Sequence, residues 1–207
     1  MERNQSDAKT RRNLSGAALK RPAVTKALTR ALFEEWAQTG YSALRLERVA
    51  ARAGAGKAAI YRRWSSKHEF VSQAVASIAV DITDMDDEGT LEADILAFLK
   101  SLRRVLRHPI AGRILPDLFA ECARSDELVP LLDRIASARR DRGLEIVDRA
   151  ISRGELPAEL DRELALDLIP APLYWRMIST RRRASMSDLE RQAKVISAAL
   201  RTARMGE

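Results

Sequence analysis

At 207 residues the chain can bury a sizeable core as one domain or two small ones, so it needs no covalent staples. Its single cysteine, Cys122, has no partner for an internal bridge and no histidine or cysteine at metal-ligand spacing; this excludes an internal disulfide and leaves a small apolar core residue or a reactive thiol. The formal net charge is +7, but the excess is confined to Met1–Phe70, with 15 basic against 6 acidic residues, whereas Val71–Glu207 carries 21 against 23.

A basic third joined to a near-neutral remainder is the footprint of a module that meets a polyanion; charge alone leaves a merely solvated face open. No apolar run approaches the ~18 residues of a membrane span and Met1–Arg21 lacks an apolar signal region, so a cytoplasmic chain without a membrane partner is expected.

In chain order, residues 1–20 are polar, with Arg3, Lys9, Arg11, Arg12 and Lys20, and read as a disordered basic arm, free or touching DNA. Pro22 suits a helix first turn, and Leu28, Ala31, Leu32 and Trp36 follow at helical spacing until Gly40. A short helix over about 46–53 ends at Gly54, and another over about 57–64 follows the Ala53-Gly54-Ala55-Gly56 turn, the pattern of a helix-turn-helix. Ser66 with Glu69 predicts a capping box for a fourth helix, reaching the acidic break at 84–88.

Beyond that break every segment reads as helix. Thr90 caps the stripe Leu91, Ile95, Phe98, Leu99, Leu102 and Leu106, and Pro116 interrupts or begins the next helix. Ser125 starts a long one reaching Arg153, Asp161 caps one to about Thr180, and Ser187 with Glu190 predicts a capping box for the last. Alternation of period two is absent, so the expected class is all-α with about nine helices.

The segment after the turn carries the functional signal. Val49, Ala50, Ala53 and Ile60 fall where two helices pack closely, and a helix over 56–64 would be about 13 Å long at ~1.5 Å per residue, comparable to a DNA major groove ~12 Å wide. Lys57, Tyr61, Arg62 and Arg63 on its outer side are donors suited to phosphates and guanine edges, and the amides opening the fourth helix beside Lys67 suit another anion. Because one short helix makes too few contacts for specific binding, a homodimer with two such helices about one DNA turn (~34 Å) or a multiple apart is expected. Leu189, Ala193, Ile196, Leu200 and Ala203 form a stripe suited to a dimer seam or to burial inside one subunit, and Leu164, Leu168 and Leu173 precede it.

Gly40-Tyr41, Val49-Ala50, Ala53-Gly54, Ile60-Tyr61 and Trp64 with Ser66-Lys67 stand in the order and spacing of an N-terminal signature, and over residues 28–71 the chain resembles the TetR family of transcriptional regulators. That resemblance implies double-stranded DNA as partner, with Tyr61 and Lys67 clamping phosphates, Lys57, Ala58, Ala59, Arg62 and Arg63 facing the groove, and Arg45 reaching phosphate near the start of helix two. Trp64 stands where the family usually has Phe. Gly56 replaces the usual serine cap, Ala58-Ala59 replaces a Gly-Thr pair and so offers thymine methyls at most, and Leu44-Arg45 replaces the usual hydroxyls. The resemblance further implies a four-helix bundle of the last two helices of each subunit, Leu168 included, and repression relieved by a ligand that misspaces the recognition helices.

Residues 161–178 are similar to one TetR C-terminal subfamily, with Ala171 in a Gly position. Pro170 and Pro172 should kink this helix and open space beside Tyr174, Trp175 and Met177. Phe98, Leu102, Leu118, Phe119 and Cys122 are candidates for the facing wall, or else plain core, and the small-molecule ligand expected there is mostly apolar or aromatic. The expected division is 1–20 arm, 21–68 DNA-binding, 69–207 ligand-binding and dimerising. His68 and His108 are the only histidines, no catalytic triad, metal cluster or phosphate loop is spelled out, and no enzyme activity, cofactor or metal is expected. Two rivals remain: a basic membrane-surface protein and an architectural DNA binder without an inducer.

Overall fold

Apolar positions recurring every three to four residues build rods that must bury one stripe each, and the molecule solves this with two adjoining cores. A computed structural model describes residues 16–79 and 86–203, with side chains from 22 to 76 and from 86 to 203. The helices are α1 (Gly16–Thr39), α2 (Leu46–Arg52), α3 (Lys57–Tyr61), α4 (Lys67–Ala79), α5 (Leu91–Arg107), α6 (Ala111–Cys122), α7 (Val129–Ser152), α8 (Arg162–Leu168), α9 (Ala171–Tyr174) and α10 (Met186–Leu200). A 3-10 turn at Asp126–Leu128 leads into α7, and a π turn at Trp175–Ser179 extends α9. Because α8, α9 and the π turn form one interrupted rod, nine rods result, and the described residues contain no strand.

The first core joins Leu28, Leu32 and Trp36 of α1 to Val49, Ile60 and Phe70, and also to Leu118, Leu128 and Leu131. Helices α1, α2 and α3 therefore share their core with α4, α6 and the start of α7. In the second core α5 lies against α7 and α10, with Leu91, Ile95, Leu99, Ile146, Val147, Leu189 and Leu200 buried. On α5 the buried Asp94 carboxylate receives Arg153 Nη2 at 2.8 Å and Arg149 Nη2 at 3.3 Å, so the charge is paired as burial demands. On α7, Gly143 sits so close to α8 that a β-carbon there would come within 2.5 Å of Leu166 Cδ2.

Several boundaries differ from expectation. The α1 helix begins six residues before Pro22, within the segment read as an arm, because Ala17, Ala18 and Leu19 are strong helix formers; residues 1–15 lie outside the described set. Pro116 falls inside α6. The capping box of α10 is made by Ser185 and Asp188, two residues earlier than Ser187 and Glu190: Ser185 Oγ accepts from Asp188 N, and the Asp188 carboxylate accepts from Ser185 N. Ser66 does cap α4, accepting from Glu69 N at 3.0 Å, while the Glu69 carboxylate reaches back to Ser65 N instead of Ser66. Thr90 and Asp161 cap α5 and α8 through Ala93 N and Leu164 N. Helix α8 stops at Leu168 and restarts at Ala171, the break expected where Pro170 and Pro172 supply no backbone donors.

Candidate nucleic-acid interface

Helix α3 is shorter than the spacing predicted, five residues and so about 7–8 Å, because the chain turns inward to bury Trp64. The Trp64 indole stacks on Phe70 at 3.7 Å between centroids and donates to Gln73 Oε1 at 2.7 Å, satisfying its only polar atom. Ile60 is fully buried and fixes which side of α3 faces the core. Lys57, Ala58, Tyr61 and Arg62 then point outward, with Arg45 exposed at the N-cap of α2.

Two of the groove-facing candidates do not share that face. Ala59 lies one position from Ile60 and is buried. Arg63 turns back on its own unit: Nη1 donates to Ala59 O at 2.7 Å and Nε to Thr25 Oγ1 at 3.3 Å, so it ties α3 to α1. Lys67 is half-buried over the Tyr41 ring at 4.1 Å and donates to Tyr41 O at 3.1 Å. Lys57 pairs with Glu47 of α2; this hydrogen bond lowers the Glu47 pKa and raises that of Lys57. The exposed pair holds the lysine beside the Tyr61 ring, 5.5 Å from its centroid.

What holds this unit to the rest was not visible in the sequence. Asp117 Oδ2 on α6 accepts from Trp36 Nε1 at 2.6 Å and from Tyr41 N at 2.9 Å. Glu121, one turn on, accepts from Ser42 Oγ at 2.8 Å, and Glu127 from Tyr41 Oη at 2.7 Å. Burial and the Glu127 hydrogen bond raise the Tyr41 phenol pKa well above its ordinary value, whereas the Arg124 hydrogen bond, ahead of that from Ser42, lowers that of Glu121. The available signal was Asp117 and Glu121 four apart on one helix face, opposite a basic module. Gly40 completes the junction, at φ +78° and with space for a β-carbon only 3.0 Å from Asp117 Oδ1.

The candidate ligand-site residues divide between the two cores. Leu118 and Cys122 pack with the first; Phe98, Leu102, Tyr174 and Met177 pack with the second. Burial raises the Cys122 thiol pKa, in keeping with a packing role. Phe119 is 37% exposed and meets Tyr174 edge-on at 6.3 Å, whereas Trp175 is 68% exposed on the outside of the rod. A charged neighbour joins them: Arg139 donates to Tyr174 Oη at 3.2 Å and lies 5.4 Å from its ring centroid.

Within one subunit the stripe read as a seam is already covered. Leu189, Ala193, Ile196 and Leu200 are buried in the second core, where α10 lies against the apolar stripe of α5, and Leu168 and Ala203 pack partly against the same core. The exposed rows are Leu164, Ala171 and Trp175 on the α8–α9 rod and Val195 and Ala198 on α10.

A short exposed cationic helix after a glycine turn, carried by a three-helix unit and followed by an all-helical domain, defines a helix-turn-helix transcriptional regulator. Residues 28–74 match the family model described as bacterial regulatory proteins, tetR family, and residues 85–196 that of the tetracyclin repressor-like C-terminal domain. The chain belongs to the TetR family. It is 34% identical over 143 residues to the DNA-binding transcriptional repressor TetR of Mycobacteroides abscessus, spanning 67% of this chain and 73% of that one. It is 28% identical over 156 residues to the HTH-type transcriptional regulator YdeS of Bacillus subtilis, spanning 75% and 78%. Among solved structures it is similar to MexZ, a repressor responsible for antibiotic resistance in Pseudomonas aeruginosa, with TM-score 0.65, 25% identity and coverage of 89% and 99%. Its fold also matches that of GusR from Salmonella enterica, with TM-score 0.65, 17% identity and coverage of 87% and 92%. No helix among the described residues is long and apolar enough to cross a membrane.

Proposed function

We propose that the protein is a cytoplasmic repressor that binds a palindromic operator as a homodimer and is released by a small molecule, mostly apolar or aromatic, bound in residues 69–207. The carrying observation is the outward face of α3, where Lys57, Ala58, Tyr61 and Arg62 stand on a helix held rigid by Ile60 and Trp64. In this reading Tyr61, Lys57 and Arg45 hold backbone phosphates, Arg62 reads base edges, Ala58 can touch a thymine methyl, and Lys67 joins by swinging off Tyr41. Arg63 and Ala59 position the helix. We assign residues 21–68 to DNA binding, with α4 packed in the same core through Phe70, Val71 and Ala74.

The second copy packs on the exposed rows Leu164–Ala171–Trp175 and Val195–Ala198, which pair neighbouring rods as a four-helix bundle requires. For the ligand, the aromatic edge formed by Phe119 and Tyr174 with Arg139 beside it supports an aromatic molecule with an accepting group. Selection of bound duplexes from a random pool tests the reading. A palindrome is expected, with the log-log salt slope of affinity near −5 to −9 if about 6 to 10 phosphates are neutralised. Tyr61→Ala should weaken all sequences, and Arg62→Ala should also relax the preference. No enriched sequence and a flat salt response would defeat it.

A further inference from the structure

Although residues 71–207 are net acidic, the cations among them are not evenly compensated. Arg124, Arg140, Arg142, Arg149, Arg153 and Arg162 each pair with a carboxylate. Along the outer face of α5, by contrast, Lys100, Arg103, Arg104 and Arg107 follow at helical spacing, and none has a carboxylate within ion-pair distance among the described residues. With His108 and Met186 they line an open groove of about 390 Å³.

The walls of this groove are fixed. Arg103 Nη1 donates to Ala184 O at 3.2 Å, and its Nη2 lies 3.0 Å from Met186 Sδ, tying α5 to the segment that opens α10. His108 Nδ1 accepts from Ile110 N at 3.3 Å and Ala111 N at 3.4 Å, which leaves the ring proton on Nε2 as an outward donor. Just before Ala184 the exposed run Arg181–Arg183 adds positive charge, and Arg181 takes a φ of 53°, a left-handed conformation that a glycine would adopt far more readily.

Cations in a helix's last turn answer its dipole, which accounts for Arg104 and Arg107. It does not account for Lys100 and Arg103, which lie further back, or for three arginines on a different segment. Like charges three and four apart on one helix repel, so an uncompensated row of this kind is favoured by a bound polyanion.

We propose that this groove is an effector site for a small molecule carrying two or more phosphate groups. Lys100, Arg104 and Arg107 bind the oxyanions, His108 Nε2 supplies a directional donor, and the Met186 side chain supports the apolar part of the ligand. The site is separate from the Phe119–Tyr174 edge. His108 of the groove immediately precedes α6, whose Asp117 and Glu121 hold the α1–α2 turn, and this helix is the route by which occupancy would reach the DNA-binding unit.

The test is calorimetric titration of the full-length protein with inorganic pyrophosphate at low ionic strength, beside the exposed-site variant K100A/R104A/R107A. Saturable binding is expected, weakened at least tenfold in the variant while that variant still unfolds in one cooperative melting transition. Pyrophosphate should also shift the affinity of wild-type protein for its selected duplex beyond a chloride control of equal ionic strength, and not shift that of the variant. No saturable binding to folded wild-type protein, or equal binding by the variant, overturns the proposal. So does a variant that, without pyrophosphate, shows weaker duplex binding with a shallower salt slope, since the cations would then serve DNA itself. Tyr61→Ala protein should lose the duplex and keep pyrophosphate, which separates failure of this site from failure of the DNA-binding reading.

Discussion

Replacing Asp117 by alanine removes the acceptor of two donors that have nowhere else to turn. Trp36 Nε1 and Tyr41 N reach Oδ2 at 2.6 and 2.9 Å, and both residues are almost wholly buried. An unmet buried donor costs about 1–3 kcal/mol, so Asp117→Ala should lose about 2–6 kcal/mol, with a value near 4 most consistent with the short charged contacts. For a chain of this length that corresponds to a fall of about 8–16 °C in melting temperature. Asp117→Asn keeps an oxygen but not the charge and should recover about half of the loss. Urea unfolding followed by far-ultraviolet circular dichroism, at one fixed subunit concentration, measures it, because association also contributes to apparent stability. Trp36→Phe supplies the control: it should cost about 1–2 kcal/mol less in the Asp117→Ala background than in the wild type. If Asp117→Ala fell within 0.5 kcal/mol of the wild type, or if the two substitutions added without coupling, the view that α6 holds the DNA-facing unit through this carboxylate would be refuted.

Gly40→Ala should destabilise by about 1–2 kcal/mol, since φ is +78° and the added methyl would stand 3.0 Å from Asp117 Oδ1; an unchanged urea midpoint would contradict this. The Glu121 pKa lies below its ordinary 4.5 in the folded state, so its stabilising contribution is complete above 4.5 and is lost as pH falls through the lower folded value. Glu121→Gln should therefore flatten the acid limb of stability below about pH 4.5, and an identical limb in both proteins would remove this carboxylate from the account. Val195→Glu should produce folded monomers in sedimentation velocity, because that side chain is 67% exposed within a subunit, whereas Leu189→Glu, fully buried, should abolish folding. Dimers of Val195→Glu as tight as the wild type would rule out the exposed row as the contact.

Local chemistry was legible, and pairing across the chain was not. The helical class, the glycine turn and the caps at Ser66, Thr90, Ser125 and Asp161 follow from residues within one turn of each other, which is why the sequence displays them. The stripe Leu189–Ala193–Ile196–Leu200 was equally visible, but its periodicity records only that one face is covered. Whether α5 or a second subunit covers it depends on a helix some 90 residues away. The same limit hid Asp117, which bonds to residues 76 and 81 positions earlier. On α3 Lys57, Tyr61 and Arg62 were readable as outward from the sequence, Ala58 and Ala59 were placed in the groove by the resemblance, and of these five only Ala59 turns inward beside Ile60; Arg63, also read as outward, turns back on Ala59 and Thr25 where the chain bends in at Trp64.

At Gly143 the backbone of α7 lies against Leu166 with no room for a methyl group. Enlarging that position would lift α8 outward, and in the proposed pair each lifted rod would carry its Leu164–Ala171–Trp175 row toward the two-fold axis. In that pair the gap between the two reading heads, and with it the half-site separation a subunit tolerates, would depend partly on the missing methyl at Gly143.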